Sequence, residues 1–316
     1  MDTAAVARFE AGRERLASLA YRLLGSAADA EDAVQDAFLR WLAADREHIE
    51  VPEAWLTKVV TNLSLDRLRS AKTRRERAVG AWLPEPLLDG DPMLGPAETF
   101  EQRESVTLAV LTLMERLPPV ERAVYVLREA FSYSHAEIAE ILDITESASQ
   151  QHAHRARRHV AAERSAGQVD RAAARRIVQA FIDAASSGHT EQLVALLTHD
   201  ATAISDGAGL TEKLTRISVP ERIAAALRGA FKPSAAKRKL VGGSPAIHAG
   251  VINGSPAMIA AFDDRVVGVV VLEVRDDKIA TVRAMAAPAR LGRLTEDWRR
   301  REHDDPLIES WWPERP

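Results

Sequence analysis

The chain has 316 residues, 46% hydrophobic and 28% charged, a balance that excludes a wholly disordered polypeptide and leaves room for two or three domains. It contains no cysteine, which removes disulfides, thiolate catalysis and cysteine zinc sites. Its net charge is −4, from 42 basic and 46 acidic residues, and no apolar run approaches the roughly 18–20 residues of a bilayer span.

The first residues enter a charged helical pattern without a signal-peptide core, so a cytoplasmic location and no membrane partner are expected. Charge is segregated along the first half. Residues 1–53 carry 6 basic and 11 acidic groups, residues 67–77 carry 6 and 1, and residues 85–104 carry 1 and 6. Such blocks suggest separate contact surfaces rather than one steering field.

Residues 4–77 read as three helices. Val6, Phe9, Leu16, Leu19 and Leu23 recur at helical spacing and define one buried stripe. A second helix starts near Ala28 and turns Ala30, Val34, Phe38, Trp41 and Leu42 inward. A third follows Pro52, a residue suited to a first helical turn, with Trp55, Leu56, Val59, Val60 and Leu63 as its core face. Residues 80–98 are too rich in Pro and Gly to continue a helix and form an acidic linker. Trp82 and Leu83 beside a stiff turn are costly to expose, so this linker is expected to dock on something.

Helices return over 101–164. Leu117-Pro118-Pro119 ends one helix and starts another, and Ser134-His135-Ala136-Glu137 fits a capping box. Asp143-Ile144-Thr145 is a short break, after which Thr145 can cap a helix to Val160; two short helices about such a turn match a helix-turn-helix. Residues 170–292 change type. Helices around Phe181 and Leu193 precede strand-like runs at 202–205, 256–262, 266–274 and 279–285, an α+β pattern with a hairpin turn at Asp276-Asp277. Residues 293–316 are a charged tail containing Trp298, Trp311 and Trp312.

Three polar faces stand opposite these cores. Asp29, Asp32, Asp36 and Arg40, with Gln35 adjacent, share a side of the second helix. Lys58, Asn62, Asp66 and Arg69 follow at helical spacing on the third, which then runs into the basic stretch from Arg67 to Arg77, able to neutralise phosphates. Ser147, Gln151, His154, Arg155 and Arg158, with Gln150 beside them, form a face of the last helix suited to base edges and phosphates. Each face alone could be merely solvated.

In this order the features resemble the extracytoplasmic-function sigma factors of bacterial RNA polymerase. The segments are 30–38 (AEDAVQDAF), Ala54-Trp55-Leu56 through Asn62-Leu63 to Asp66-Arg67-Leu68-Arg69, Leu117 to Arg122, and Ser134 to Leu142 with Arg155-Ala156. Trp82-Leu83-Pro84-Glu85-Pro86 is similar to the WLPEP linker of the SigJ-type subgroup, and residues 175–291 look like that subgroup's SnoaL-like domain. The subgroup's DGGGK motif stands here as Asp206-Gly207-Ala208-Gly209-Leu210, its Asn-Pro-Asp-Lys-Leu segment as Ala287-Pro288-Ala289-Arg290-Leu291, and Ser149-Gln150 replaces a common apolar–arginine pair.

The resemblance implies a multidomain fold: two all-α sigma domains (a helical bundle at 1–79 and a helix-turn-helix at 101–165, joined by the linker 80–100), then an α+β SnoaL-like (NTF2/cystatin-like) domain at 170–292 and the tail. It implies that Asp32, Gln35, Asp36 and Arg40 bind core RNA polymerase, and that Lys58, Asn62, Asp66, Arg67 and Arg69 meet the minus-ten element of promoter DNA. Ser147, Gln150, Gln151, His154, Arg155 and Arg158 would meet the minus-thirty-five element. Trp82, Leu83, Pro84, Glu85, Pro86, Asp206, Gly207 and Gly209 would serve interdomain regulation. No catalytic residue, cofactor or metal is implied, and a small ligand in the SnoaL-like domain and the oligomeric state stay open. A different class also stays open: a helix-turn-helix protein with a ligand-binding or isomerase-like domain, whose titratable candidates are His199, Asp200, Asp206, His248, Asp263 and Asp264.

Overall fold

A computed structural model describes residues 3–77, 83–95, 98–160, 170–210, 214–232 and 234–312, the side chains of 71–77 and 100 aside. The chain forms two compact units, Met1–Glu85 with Gly90–Arg164, and Pro86–Asp89 with Ser165–Pro316.

In the first unit, α1 (Thr3–Leu24), α2 (Ala27–Ala43) and α3 (Pro52–Arg77) pack on one another as their apolar spacing requires. Phe9, Leu16, Leu19, Leu23, Ala30, Val34, Trp41, Leu56, Val60 and Leu63 are buried, while Val6, Phe38, Leu42, Trp55 and Val59 are half-buried. Each large apolar side chain taken fully out of water contributes about 1.5–3 kcal/mol, which accounts for a bundle without disulfides. The Trp41 indole donates to the Ala5 carbonyl at 2.9 Å, so its one polar atom is satisfied.

The same unit continues through α4 (Phe100–Glu104), α5 (Leu108–Met114), α6 (Pro119–Tyr125) with a wide turn at Val126–Ala130, α7 (His135–Leu142) and α8 (Glu146–Val160). The capping box is present: Ser134 Oγ accepts from the Glu137 amide, and Glu137 Oε2 accepts from the Ser134 amide at 2.7 Å. Asp143 ends α7 in the left-handed region, and Thr145 Oγ1 accepts from the Ala148 amide at 3.1 Å to start α8.

A buried side chain links the two helical sections. Arg22, fully buried in the last turn of α1, donates to Ser105 Oγ at 3.0 Å, to the Gln102 carbonyl at 3.3 Å and to Ser18, and lies over the Phe131 ring. Burial pulls its guanidinium down to about 9.

Each unit contains part of the linker. In the first, Leu83 is buried and Glu85 lies at the start of α2. Its carboxylate accepts from Ser26 Oγ at 2.8 Å and from the Ala27 amide at 3.0 Å, while Tyr21 donates to the Glu85 carbonyl. An anion at a helix N-terminus satisfies otherwise unpaired amides. In the second, Leu87 accepts from the Asn253 amide at 3.0 Å and donates to Asn253 Oδ1 at 2.8 Å, and Asp89 donates to the Val251 carbonyl at 3.0 Å. Trp82 lies outside the described residues.

The second unit opens with α9 (Arg171–Ser186) and α10 (Thr190–Leu196), then β1 (Leu197–Ser205), β2 (Thr215–Ile217), α11 (Pro220–Phe231) and α12 (Ala235–Val241). A meander follows: β3 (Ala246–Ile252), β4 (Ser255–Phe262), β5 (Arg265–Arg275) and β6 (Lys278–Met285). The sheet order is β2-β1-β6-β5-β4-β3, antiparallel except for the β1–β6 pair. All three meander turns are two residues long with positive φ at both positions: Asn253-Gly254, Asp263-Asp264 and Asp276-Asp277. Asn, Asp and Gly tolerate that conformation, and such turns match the strand twist. Val178, Phe181, Leu193, Ile223 and Phe231 from the helices bury one sheet face.

The strand reading extends in the structure. β1 begins at Leu197 rather than Thr202, and β2 and β3 were not anticipated. The stretch expected as a charged tail is folded into this unit. It opens as α13 (Gly292–Arg300), then pairs Leu307 and Ile308 with Ile247 and carries Trp311 to the Pro245 carbonyl.

Two predictions follow from backbone and cap. Ala208 sits at φ 58°, ψ 25°, a conformation that costs a residue with a Cβ about 1 kcal/mol. Ala208→Gly is therefore expected to raise the thermal midpoint, measured by circular dichroism, whereas an unchanged midpoint would show that the turn relaxes without cost. Burial raises the Glu85 pKa above the usual 4.5 despite its hydrogen bonds, so its stabilising share is complete below that value and declines as pH rises through the raised one. Glu85→Ala should cost about 1 kcal/mol in chemical denaturation. Glu85→Gln, which keeps an acceptor without the charge, should cost less at neutral pH than at pH 4.

Candidate nucleic-acid interface

On α2, Asp32, Gln35 and Arg40 are exposed and Asp36 is half-buried, all on the side away from Val34 and Trp41. Arg67 of α3 reaches across to this face, 2.7 Å from Asp36 Oδ2 and 3.7 Å from Asp32 Oδ2. The acidic face of α2 and the polar face of α3, separate in the sequence reading, therefore meet at one guanidinium.

The rest of the α3 face is partly engaged within the first unit. Lys58 Nζ donates to Asp143 Oδ1 at 2.8 Å and to the Glu140 carbonyl at 2.9 Å, both at the end of α7. Asn62 is half-buried, and Asp66 pairs with Arg69 at 3.2 Å on an exposed turn of helix. The helix itself continues to Arg77, but the side chains of the basic stretch beyond Ser70 lie outside the described residues.

On α8, Ser147, Gln150, Gln151, His154 and Arg158 are exposed on one face, opposite buried Ala153, Ala156 and Val160. Arg155 differs: its Nε donates to Glu121 Oε1 at 2.6 Å, and His152 Nδ1 lies 2.8 Å from its Nη2. It braces α8 against α6 as well as standing on the outer face. Ser149, in place of an apolar residue, is fully buried yet satisfied, its Oγ 2.9 Å from His135 Nδ1. A hydroxyl with a partner is tolerated in a core, so the helix-turn-helix keeps its packing.

In the second unit the titratable candidates are not gathered. His199 is exposed, and Asp200 pairs with Arg275 at 2.5 and 2.7 Å, which draws its carboxyl down to about 2. Asp263 and Asp264 make a hairpin turn. His248 contacts the Asp304 carbonyl and the Trp298 ring, and burial lowers its pKa. Asp206 is buried and structural: its carboxylate accepts from the Ala208, Ala286 and Ala287 amides, tying the end of β1 to the end of β6. Gly207 and Gly209 carry positive φ in that same turn. A buried pair missed from sequence, Glu273 with Arg283 at 2.8 Å, bridges β5 and β6; its signal was two charges inside apolar strands. Among the described residues, no helix is long and apolar enough to cross a membrane.

Comparison with known proteins agrees with this geometry. Residues 9–74 match the Sigma-70 region 2 family and residues 107–160 the Sigma-70, region 4 family. The chain is 42% identical to ECF RNA polymerase sigma factor SigJ of Mycobacterium tuberculosis over 65% of each chain. It is 32% identical to the probable ECF sigma factor SigI of the same species, over 91% of this chain and 95% of the relative. The crystal structure of M. tuberculosis SigJ aligns with a TM-score of 0.66 at 30% identity, covering 91% of this chain and 98% of that one. The helical sections followed by an α+β sheet domain fit the SnoaL-like expectation. The chain belongs to the extracytoplasmic-function RNA polymerase sigma factors, proteins that direct promoter-specific transcription initiation and are not enzymes.

Proposed function

We propose that this sigma factor binds core RNA polymerase in the cytoplasm through Asp32, Gln35, Asp36 and Arg40, docking on the clamp helices of the largest subunit. Carboxylates and a guanidinium on a rigid helix suit a partner of complementary charge, where they set specificity more than affinity. Lys58, Asn62, Asp66, Arg67 and Arg69 meet the minus-ten element as it opens, Asn and Asp facing single-stranded base edges and the cations facing phosphates. Ser147, Gln150, Gln151, His154, Arg155 and Arg158 enter the major groove of the minus-thirty-five element. The exposed face of α8, on a fully capped helix-turn-helix, is the observation that carries this reading.

The first unit corresponds to a closed form. The two promoter elements lie about 25 base pairs apart, which at 3.4 Å per pair is about 85 Å. α3 and α8 cannot serve both while Lys58 is hydrogen-bonded to the end of α7. Engagement of a promoter on polymerase therefore requires α7 and α8 to leave α3. The C-terminal unit regulates this step in cis through the linker, whose Glu85 caps α2 and whose Leu87 pairs with Asn253. Trp82, Leu83, Pro84, Glu85 and Pro86, with the Asp206–Gly209 turn, are the regulatory residues of this scheme.

The decisive test is in-vitro transcription with core polymerase on the gene's own upstream region. Full-length protein should give transcripts from a defined start, and a chain ending before Arg293 should give a changed yield. Absence of both transcripts and polymerase binding would overturn the assignment, and identical yields from the two forms would overturn regulation in cis. Asp143→Asn keeps a residue suited to the left-handed turn and removes the charge facing Lys58. It should raise promoter binding by up to about fivefold, since an exposed pair is worth about 1 kcal/mol or less. Arg158→Ala should weaken binding and reduce the salt dependence by about one phosphate contact.

A further inference from the structure

Arg155 stands on the outer face of α8, yet part of its hydrogen-bonding capacity is spent within the helix-turn-helix. Its Nε donates to Glu121 Oε1 at 2.6 Å, and its Nη2 lies 2.8 Å from His152 Nδ1. The two acceptor atoms are themselves 3.7 Å apart. A guanidinium can grip a pair of acceptors along its side edge, made of Nε–H and one Nη2 N–H. It can do the same along its end edge, made of the other Nη2 N–H and an Nη1 N–H. Here a carboxylate and an imidazole close the side edge. The end edge is left over, on a side chain that is 46% exposed.

Elementary chemistry fixes the role of the imidazole. Guanidinium only donates, so a hydrogen bond from Nη2 requires a bare Nδ1 and places the His152 proton on Nε2. His152 lies three residues before Arg155 and so on the same side of α8, while Glu121 comes from α6. Their side chains are 23% and 8% exposed, so packing holds both partners more firmly than it holds Arg155. A free arginine samples many rotamers and gives them up on binding. Fixing the guanidinium in advance removes that loss and decides which edge meets the DNA.

We infer that His152 is a positioning residue for promoter recognition: with Glu121 it locks the Arg155 guanidinium so that only the end edge is presented to the minus-thirty-five element. This rests on the reading of α8 as the major-groove helix. His152 makes no DNA contact in this scheme and acts through the acceptor at Nδ1. A guanidinium so fixed meets two acceptors on one base edge and does not turn to share itself among neighbouring pairs. It therefore narrows sequence preference more than it raises affinity.

The test uses the full-length chain assembled with core polymerase and duplexes of the gene's own upstream region. Each position of the minus-thirty-five stretch is changed in turn, and affinity is read by competition. Arg155→Ala should flatten the preference at one or two adjacent base pairs. His152→Phe keeps a ring and removes the acceptor. It should lower discrimination at those same pairs about threefold to tenfold, the worth of one hydrogen bond, with an unchanged melting curve. His152→Asn can place Oδ1 where Nδ1 stands and should restore discrimination to within about twofold of the parent. Nitrogen-15 spectra of the histidines in the full-length chain should show His152 as the Nε2–H tautomer at neutral pH. An unaltered base profile in His152→Phe, no restoration by His152→Asn, or a loss spread evenly over all positions would overturn the inference and leave the α8 interface standing. A proton on Nδ1 would overturn it without any DNA. A parent with no base preference, or one that Arg155→Ala leaves unaltered, would overturn the reading of α8 and this inference with it.

Discussion

The helical half of the molecule depends on a buried guanidinium. Arg22 is carried on α1, but its hydrogen-bond partners Ser105 and the Gln102 carbonyl come from the section that leads into the helix-turn-helix. A charge taken out of water must be matched by hydrogen bonds or it destabilises the fold by several kcal/mol. The same contacts that make Arg22 tolerable therefore hold the two sigma regions in one compact unit. Moving the regions apart returns Arg22 to water and loses no charge, only its partners.

That closure has a second, weaker fastening at Lys58, whose partners are the Asp143 carboxylate and a helix-terminal carbonyl. Asp143 is largely exposed, so this pair is screened by solvent and salt. In the promoter complex proposed above, phosphates would compete for the same ammonium. The first unit thus combines a buried, sharply defined contact at Arg22 with a solvent-screened surface contact at Lys58.

The helical elements were legible in the sequence because local chemistry specifies them. Pro52, Ser134 with Glu137, and Thr145 each satisfy helix-end amides or fit the first turn, and the apolar stripes leave one packing solution. The sheet was less legible. Asn253-Gly254 is a strong turn signal, but β3 ahead of it contains His248 and Gly250 and lacks clean alternation. β2 is only three residues long. The polar faces of α2, α3 and α8 were visible as patterns, yet their pairings were not. Arg67 with Asp36, Lys58 with Asp143 and Arg155 with Glu121 join residues 31, 85 and 34 positions apart, distances no helical periodicity reports.

The altered DGGGK motif shows how a sequence departure can be absorbed locally. Asp206 keeps its structural task by accepting backbone amides from both its own turn and the end of β6. Gly207 and Gly209 keep the left-handed positions that only glycine adopts freely. Ala208 between them occupies the same region under strain, and Asp206 holds it there through the Ala208 amide.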